Sequence, residues 1–393
     1  MVRPGLELTT SRRVDGELMA TYPAPGLYFQ VTAPASAQAL RTGVPAFLGR
    51  AGSGPWTTTP LARPGDFASA YPGSSGYLAA AVDGFFANGG QRCHVVRLRD
   101  DLPAPGALAA GLAALEDADA DLVCVPDLVT ASAWPDTADL TAVTDRQRQV
   151  LDHCAARGDR FAVLDAVPSG SASTVLAQRA ALSGPSAAYG ALYAPWLVAD
   201  GNLMVPPCGH VSGVYAAVDD ASGTQRAPAG IPLSTVLDVQ VHWATDDLAQ
   251  LSAAGVNAVL ALPGRGFRIW GARTVSDDPA WRDVTARRVV AEIVRRLETF
   301  MTDLVDEPND VRLWVRIMRE LTAYLEGLYR RGALRGDSAD SAFFVKCDSE
   351  TNPPDTGATG QVVTQVGVCL AAQAEVLVLT VVRTADGSDV RAA

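Results

Sequence analysis

Short, continuous apolar runs alternate with segments of three-to-four hydrophobic spacing through the first two thirds of the chain. Val44 to Leu48, Cys93 to Leu98, Leu122 to Val125, Phe161 to Leu164, Ala188 to Val198 and Val256 to Leu262 are runs of strand type. Ser75 to Ala87, Leu108 to Leu115 and Thr144 to Ala156 have helical spacing, with Leu78, Val82, Phe85 and Phe86 forming one stripe. Asn88-Gly89-Gly90 stops the first of these helices. Helices alternating with strands that are apolar on both faces predict βαβ units around a buried parallel sheet. Val211 to Val218 reads as a short helix, and Leu27 to Val31 as a short strand after Pro25-Gly26.

The last third has a different rhythm. Asp283 to Val305 carries one apolar stripe (Val289, Val290, Ile293, Leu297, Phe300, Met301, Leu304) with Arg287, Arg288, Arg295 and Arg296 on the other face. Asp306-Glu307-Pro308-Asn309-Asp310 breaks the chain and supplies a cap from Asn309 or Asp310. A second helix follows over Val311 to Arg331, with Trp314, Ile317, Leu321, Leu325 and Leu328 inward, and ends at Gly332. Three strand-like runs come after it: Phe343 to Cys347, Gln361 to Leu370 and Ala374 to Val382. The predicted class is therefore α/β, or α+β over the whole chain.

Composition narrows the picture. The 393 residues suggest two or three domains, and 48% hydrophobic residues with 19% charged ones indicate a substantial core. The formal charge is −11, which argues against sequence-independent nucleic-acid binding. Lys346 is the sole lysine, so arginine carries nearly all the positive charge. Six scattered cysteines without a CxxC pair read as reduced, buried side chains. Neither a signal peptide nor an apolar run long enough to span a bilayer is apparent, so assembly in the cytoplasm without membrane insertion is expected.

Candidate chemistry is sparse. The loop Gly49-Arg50-Ala51-Gly52-Ser53-Gly54-Pro55 follows a strand, but no Lys-Ser/Thr ends it and no helix begins there, so it reads as structural. Asp127 and Asp165 sit at strand ends, where an α/β enzyme acting on a phosphorylated small molecule would place its site. No nucleophile or base clusters with them. Cys208 and His210, two apart, do not make a metal site alone. No catalytic, cofactor or metal residue is assigned.

Several motifs resemble contractile tail-sheath proteins of phage tails and related injection systems. They are PGLYFQ (Pro25 to Gln30), GVPAFLGRAGSGP (Gly43 to Pro55), FFANGGQRCHVVRL (Phe85 to Leu98), DEPNDVRLWVRI (Asp306 to Ile317), LYRRGALRG (Leu328 to Gly336), AFFVKCDSETNP (Ala342 to Pro353) and QVGVCLAAQAEVLVLTVVR (Gln365 to Arg383). Trp270-Gly271-Ala272-Arg273-Thr274 is similar to the family's strand pair that carries its WGART sequence.

The resemblance implies an N-terminal arm (1–24), an α/β body (25–250), a conserved C-terminal sheath domain (251–375) and a last strand with C-terminal arm (376–393). It implies a structural subunit, not an enzyme, that needs no cofactor and polymerises helically around an inner tube protein. Baseplate and terminator or cap proteins are its other implied partners, in a phage tail or tail-like particle. Strands exchanged between subunits would use Leu18, Ala20 and Tyr22 at one end and Val378, Leu379 and Val381 at the other. Arg312, Arg316 and Arg319, on one helix face, would face the tube.

Overall fold

A computed structural model describes residues 40–74, 76–129, 139–353, 361–370, 376–384 and 387–392. The expected strand at Leu27 to Val31 and the expected N-terminal arm, with Leu18, Ala20 and Tyr22, lie outside these residues. From Arg41 onward the chain forms one compact unit.

The first apolar runs become strands β1 (Pro45–Gly49), β2 (Thr59–Leu61), β3 (Cys93–Arg97), β4 (Leu122–Cys124), β5 (Phe161–Asp165) and β6 (Gly190–Ala194). Their connections carry α1 (Pro64–Ala70), α2 (Tyr77–Ala87), α3 (Ala104–Ala113), α4 (Leu140–Arg157) and α5 (Ala172–Ala181). β1 pairs in parallel with β3 on one side and β4 on the other, and β5 and β6 extend the β4 side.

Successive side chains of a strand enter opposite cores. Ala46 and Leu48 pack with Leu108 of α3 and Val150 and Leu151 of α4, whereas Phe47 packs with Leu78, Val82 and Phe85 of α2. Burial on both faces explains why these strands read as unbroken apolar runs.

The expected strand Ala188 to Val198 divides at Pro195, which has no N–H to offer a ladder. Beyond it lie β7 (Leu197–Ala199) and β8 (Leu203–Val205), then α6 (Cys208–Ser222) and β9 (Val236–Val239). These three strands form a small sheet in the order β8-β7-β9. The expected short helix over Val211 to Val218 is the middle of α6, which runs for 15 residues and is buried along most of its length against α2.

After α7 (Thr245–Ala253), β10 (Val256–Leu262) joins β6 in parallel, and β11 (Gly266–Trp270) pairs back on it. The boundary expected between residues 250 and 251 thus falls inside α7, and β10 and β11 belong to the eight-stranded sheet.

The last part of the unit is built from α8 (Val284–Thr302), α9 (Val311–Arg330), the single turn α10 (Ala339–Ala342) and the strands β12 (Phe343–Lys346), β13 (Val362–Cys369), β14 (Val376–Thr384) and β15 (Gly387–Ala392). Asp310 caps α9 by accepting from the backbone of Arg312 and Leu313. Leu297 and Met301 of α8 and Ile317, Leu321 and Leu325 of α9 share a core with Val366, Val368, Leu379 and Val381 of the sheet. The sheet is antiparallel in the order β12-β13-β14-β15. Gly367 lies beneath Phe344, where a Cβ would meet the ring at 2.0 Å.

Candidate assembly surfaces

The arginines that the sequence placed opposite the α8 stripe are mostly not solvated. Arg287, Arg288 and Arg295 are buried, so α8 is covered on both sides: its stripe by the C-terminal sheet and α9, its arginines by the larger sheet's layer. Arg288 donates to Asp219 Oδ1 at 2.8 Å and Oδ2 at 2.5 Å, and to Asp121 Oδ2 at 3.1 Å. Its guanidinium also lies 4.6 Å from the Tyr215 ring centroid. Burial by itself would lower its pKa, but Asp219 first and then Asp121 outweigh that and hold it firmly cationic.

The same Asp121 accepts from Gly43 N at 3.0 Å and Val44 N at 2.6 Å, fixing the chain as it enters β1. Arg295 pairs with Asp119 and donates to the Arg41 carbonyl at 2.9 Å. Arg287 stacks over Tyr189 at 3.8 Å and Trp281 at 5.0 Å and donates to Gly158 O at 3.2 Å. Sequence periodicity alone could not find this junction. The only hint was a helix with as many arginines as a solvated face would carry, but few carboxylates among them.

In the C-terminal sheet, β14 is hydrogen-bonded to β13 on one edge from Val376 to Arg383, and to β15 on the other from Leu379 to Thr384. Leu379 and Val381 face the core against α8, while Val378 is on the opposite face beside Gly367. The open edges of this sheet, among the described residues, are those of β12 and β15 and the start of β14 from Val376 to Val378. β15 itself was not anticipated: its Ser388, Asp389 and Arg391 do not read as an apolar strand, and pairing with β14 specifies it. Ser388 Oγ donates to Glu298 O at 3.0 Å, tying β15 to α8.

Arg312, Arg316 and Arg319 lie on the exposed face of α9. Arg316 pairs with Glu307, and Arg319 with Glu320 at 2.7 Å. Val311 and Val315, 63% and 54% exposed, share that face, which makes it a mixed cationic and apolar surface.

The two strand-end carboxylates are each used structurally. β1 lies between β3 and β4, and open α/β sheets bind ligands in the crevice beyond such a reversal. Here Asp127 Oδ2 accepts from Arg50 N at 2.7 Å, and a Cβ on Gly49 would lie 2.5 Å from that oxygen. Gly52 N donates to Ser74 Oγ at 3.1 Å and Ser53 Oγ to Pro72 O at 2.7 Å, so the glycine loop directs these donors into its own fold. Asp165 accepts from Cys208 N at 2.8 Å, holding the first turn of α6. Burial raises Asp127 to about 6 and Asp165 to about 7. His210, whose ring fits against Gly84, is lowered by burial to about 4.

Residues 104–275 match the phage tail sheath protein central domain, and residues 276–384 match the phage tail sheath C-terminal domain. The chain belongs to the phage tail sheath family. It is a structural subunit of the contractile sheath of a phage tail or phage tail-like particle, and not an enzyme. Among solved structures, the sheath subunit is similar to a chain of the anti-feeding prophage baseplate (28% identity, TM-score 0.70), covering 90% of this chain and 97% of that one. It is likewise similar to a chain of the anti-feeding prophage helical sheath in its contracted state, at 28% identity and TM-score 0.69, covering 90% and 98%. A chain of the contracted PVC sheath, from an extracellular contractile injection system, shares the fold at 22% identity and TM-score 0.67 over 91% and 96%. No curated protein sequence matches it. No helix among the described residues is long and apolar enough to cross a membrane.

Proposed function

We propose that copies of this sheath subunit, made in the cytoplasm, stack around an inner tube between a baseplate and a cap, and that the polymer shortens to drive the tube through a target envelope. A head-to-tail contact that does not close on itself generates an open helix. The observation that carries this reading is the near whole-length correspondence, at 28% identity, with a chain solved in a contracted helical sheath.

In this reading the body of the subunit moves as a block while terminal arms keep neighbours connected. The division between the two layers falls between β11 and α8, where the larger sheet ends. The N-terminal arm (1–24) contributes a strand through Leu18, Ala20 and Tyr22. At the other end, exchange uses the β14–β15 hairpin: when a chain's own β15 leaves, the edge of β14 at Val378, Leu379 and Val381 takes a neighbour's strand. Backbone pairing supplies affinity and alternate side chains supply register. Arg312, Arg316 and Arg319, with Val311 and Val315, face the tube.

Electron microscopy of the concentrated protein, with sedimentation alongside, tests this. Hollow striated tubes are expected, either from the subunit alone or on addition of its tube protein. Compact particles under both conditions overturn the reading.

A further inference from the structure

A cleft of about 170 Å³ opens between α5, the end of α7 and the segment joining β11 to α8. It is lined by three arginines, Arg179, Arg273 and Arg282, with Asp277 as the acidic residue among its lining side chains. Arg179 is 7% exposed and donates through Nη2 to Asp277 Oδ1 at 2.7 Å. Its Nε–H, also buried, has no hydrogen-bond partner. A buried guanidinium donor without an acceptor is costly, and a ligand oxygen is the simplest remedy. Arg273 and Arg282 are exposed at the rim, and the pull of Arg179 and then Arg282 keeps Asp277 below the usual carboxylate range. Gly255 (φ +86°) forms part of the floor, where a Cβ would sit 3.9 Å from Arg179 Nε and 3.0 Å from the Thr274 carbonyl. The Thr274 and Ser276 side chains border the same space.

We infer that this cleft is an oxyanion receptor, filled in the assembled sheath by a carboxylate from a second copy of the chain. Three cations against one carboxylate leave the cleft with a local excess of two positive charges, on a chain that carries 43 acidic and 32 basic residues. In a homopolymer of so acidic a chain, each neighbour presents carboxylates in excess over cations. A guanidinium fork matches a carboxylate bidentately, and desolvating the pair between subunits strengthens it. The volume suits one Asp or Glu side chain or one small inorganic oxyanion. The receptor stands independently of the sheath reading; its occupant rests on that reading.

The first test uses the unassembled protein and inorganic phosphate at constant ionic strength, read by thermal melting against chloride. Wild type is expected to gain melting temperature with phosphate, and Arg273→Gln and Arg282→Gln to weaken the apparent affinity on the order of tenfold each, the loss of one charge-assisted contact. No phosphate-specific shift, or an equal shift in wild type and both variants, overturns the receptor.

The second test is assembly. Arg273→Glu/Arg282→Glu, with melting in chloride as in wild type, is expected to raise the protein concentration needed for tubes at least tenfold, with phosphate inhibiting wild-type assembly more than chloride does. Normal assembly of this variant, beside a phosphate shift that wild type alone shows, overturns the second-copy occupant and leaves a free anion as the ligand. Absence of tubes from wild type itself, with or without its tube protein, refutes the sheath reading and with it the second-copy occupant, while the phosphate result still decides the receptor.

Discussion

Replacing Arg288 by methionine isolates the junction between the two layers. The side chain is almost wholly buried and holds Asp219 through two hydrogen bonds and Asp121 through a third. Methionine fills a similar volume but, among the described residues, leaves Asp219 buried with no paired cation and Asp121 with only Arg295, 3.9 Å away, as an opposite charge. Breaking a buried pair from one side costs about 3–5 kcal/mol. That is a large share of a domain's total of roughly 5–15 kcal/mol. Equilibrium urea unfolding, read by tryptophan fluorescence and far-ultraviolet circular dichroism, measures the loss. Arg288→Met/Asp219→Leu removes both charges and is expected to recover about half of it or more, because a well-packed apolar pair often equals a buried ion pair. A loss below about 1 kcal/mol in the single variant, a size typical of exposed pairs, would refute the claim that this network joins the layers.

Three further outcomes follow from groups that burial perturbs or from the terminal arms. Asp165 has a folded pKa near 7, above its ordinary value, so its contribution is present below about pH 4 and lost as pH rises through 7. Asp165→Asn, which still accepts from Cys208 N, is expected to flatten the fall in unfolding free energy between pH 4 and 7; an unchanged slope would count against it. Glu298 is raised to about 7 by burial and then by Asp159, with Asp389 of β15 adding to the effect. Hydrogen exchange of residues 387–392, corrected for intrinsic rates, should therefore quicken from pH 6 to pH 8, and Glu298→Gln should remove the change. Deleting residues 1–20 should leave a folded monomer that forms no tubes, as checked by circular dichroism and electron microscopy; long tubes from the truncated chain would sink the arm assignment.

The elements legible in the sequence were those whose burial is simple. β1, β3, β4, β5 and the first half of β10 are covered on both faces, and α8 and α9 have continuous stripes, so period and apolar content sufficed. What escaped depends on partners distant in sequence. β15 is polar and becomes a strand because β14 has an edge to fill. The small sheet of β7, β8 and β9 keeps Leu203, Met204 and Leu237 exposed, so its strands show no alternation. The family was legible from motifs at both ends. The destination of Arg288 was not, because its acceptors lie 69 and 167 residues away, and no local pattern distinguishes a buried guanidinium from a solvated one.

Asp121 receives the backbone of Gly43 and Val44 with one set of lone pairs and Arg288 of α8 with another. Arg295, one helical turn pair further along α8, grips the carbonyl of Arg41. A pull on the chain at residue 41 therefore reaches the C-terminal layer by a route of its own, beside the one that runs along β1 into the larger sheet. It passes from two peptide groups into one carboxylate, and from there into the helix that carries the C-terminal sheet. In mechanical terms this is a short, stiff linkage: tension applied where the polypeptide enters the body is delivered almost directly to the layer from which it leaves.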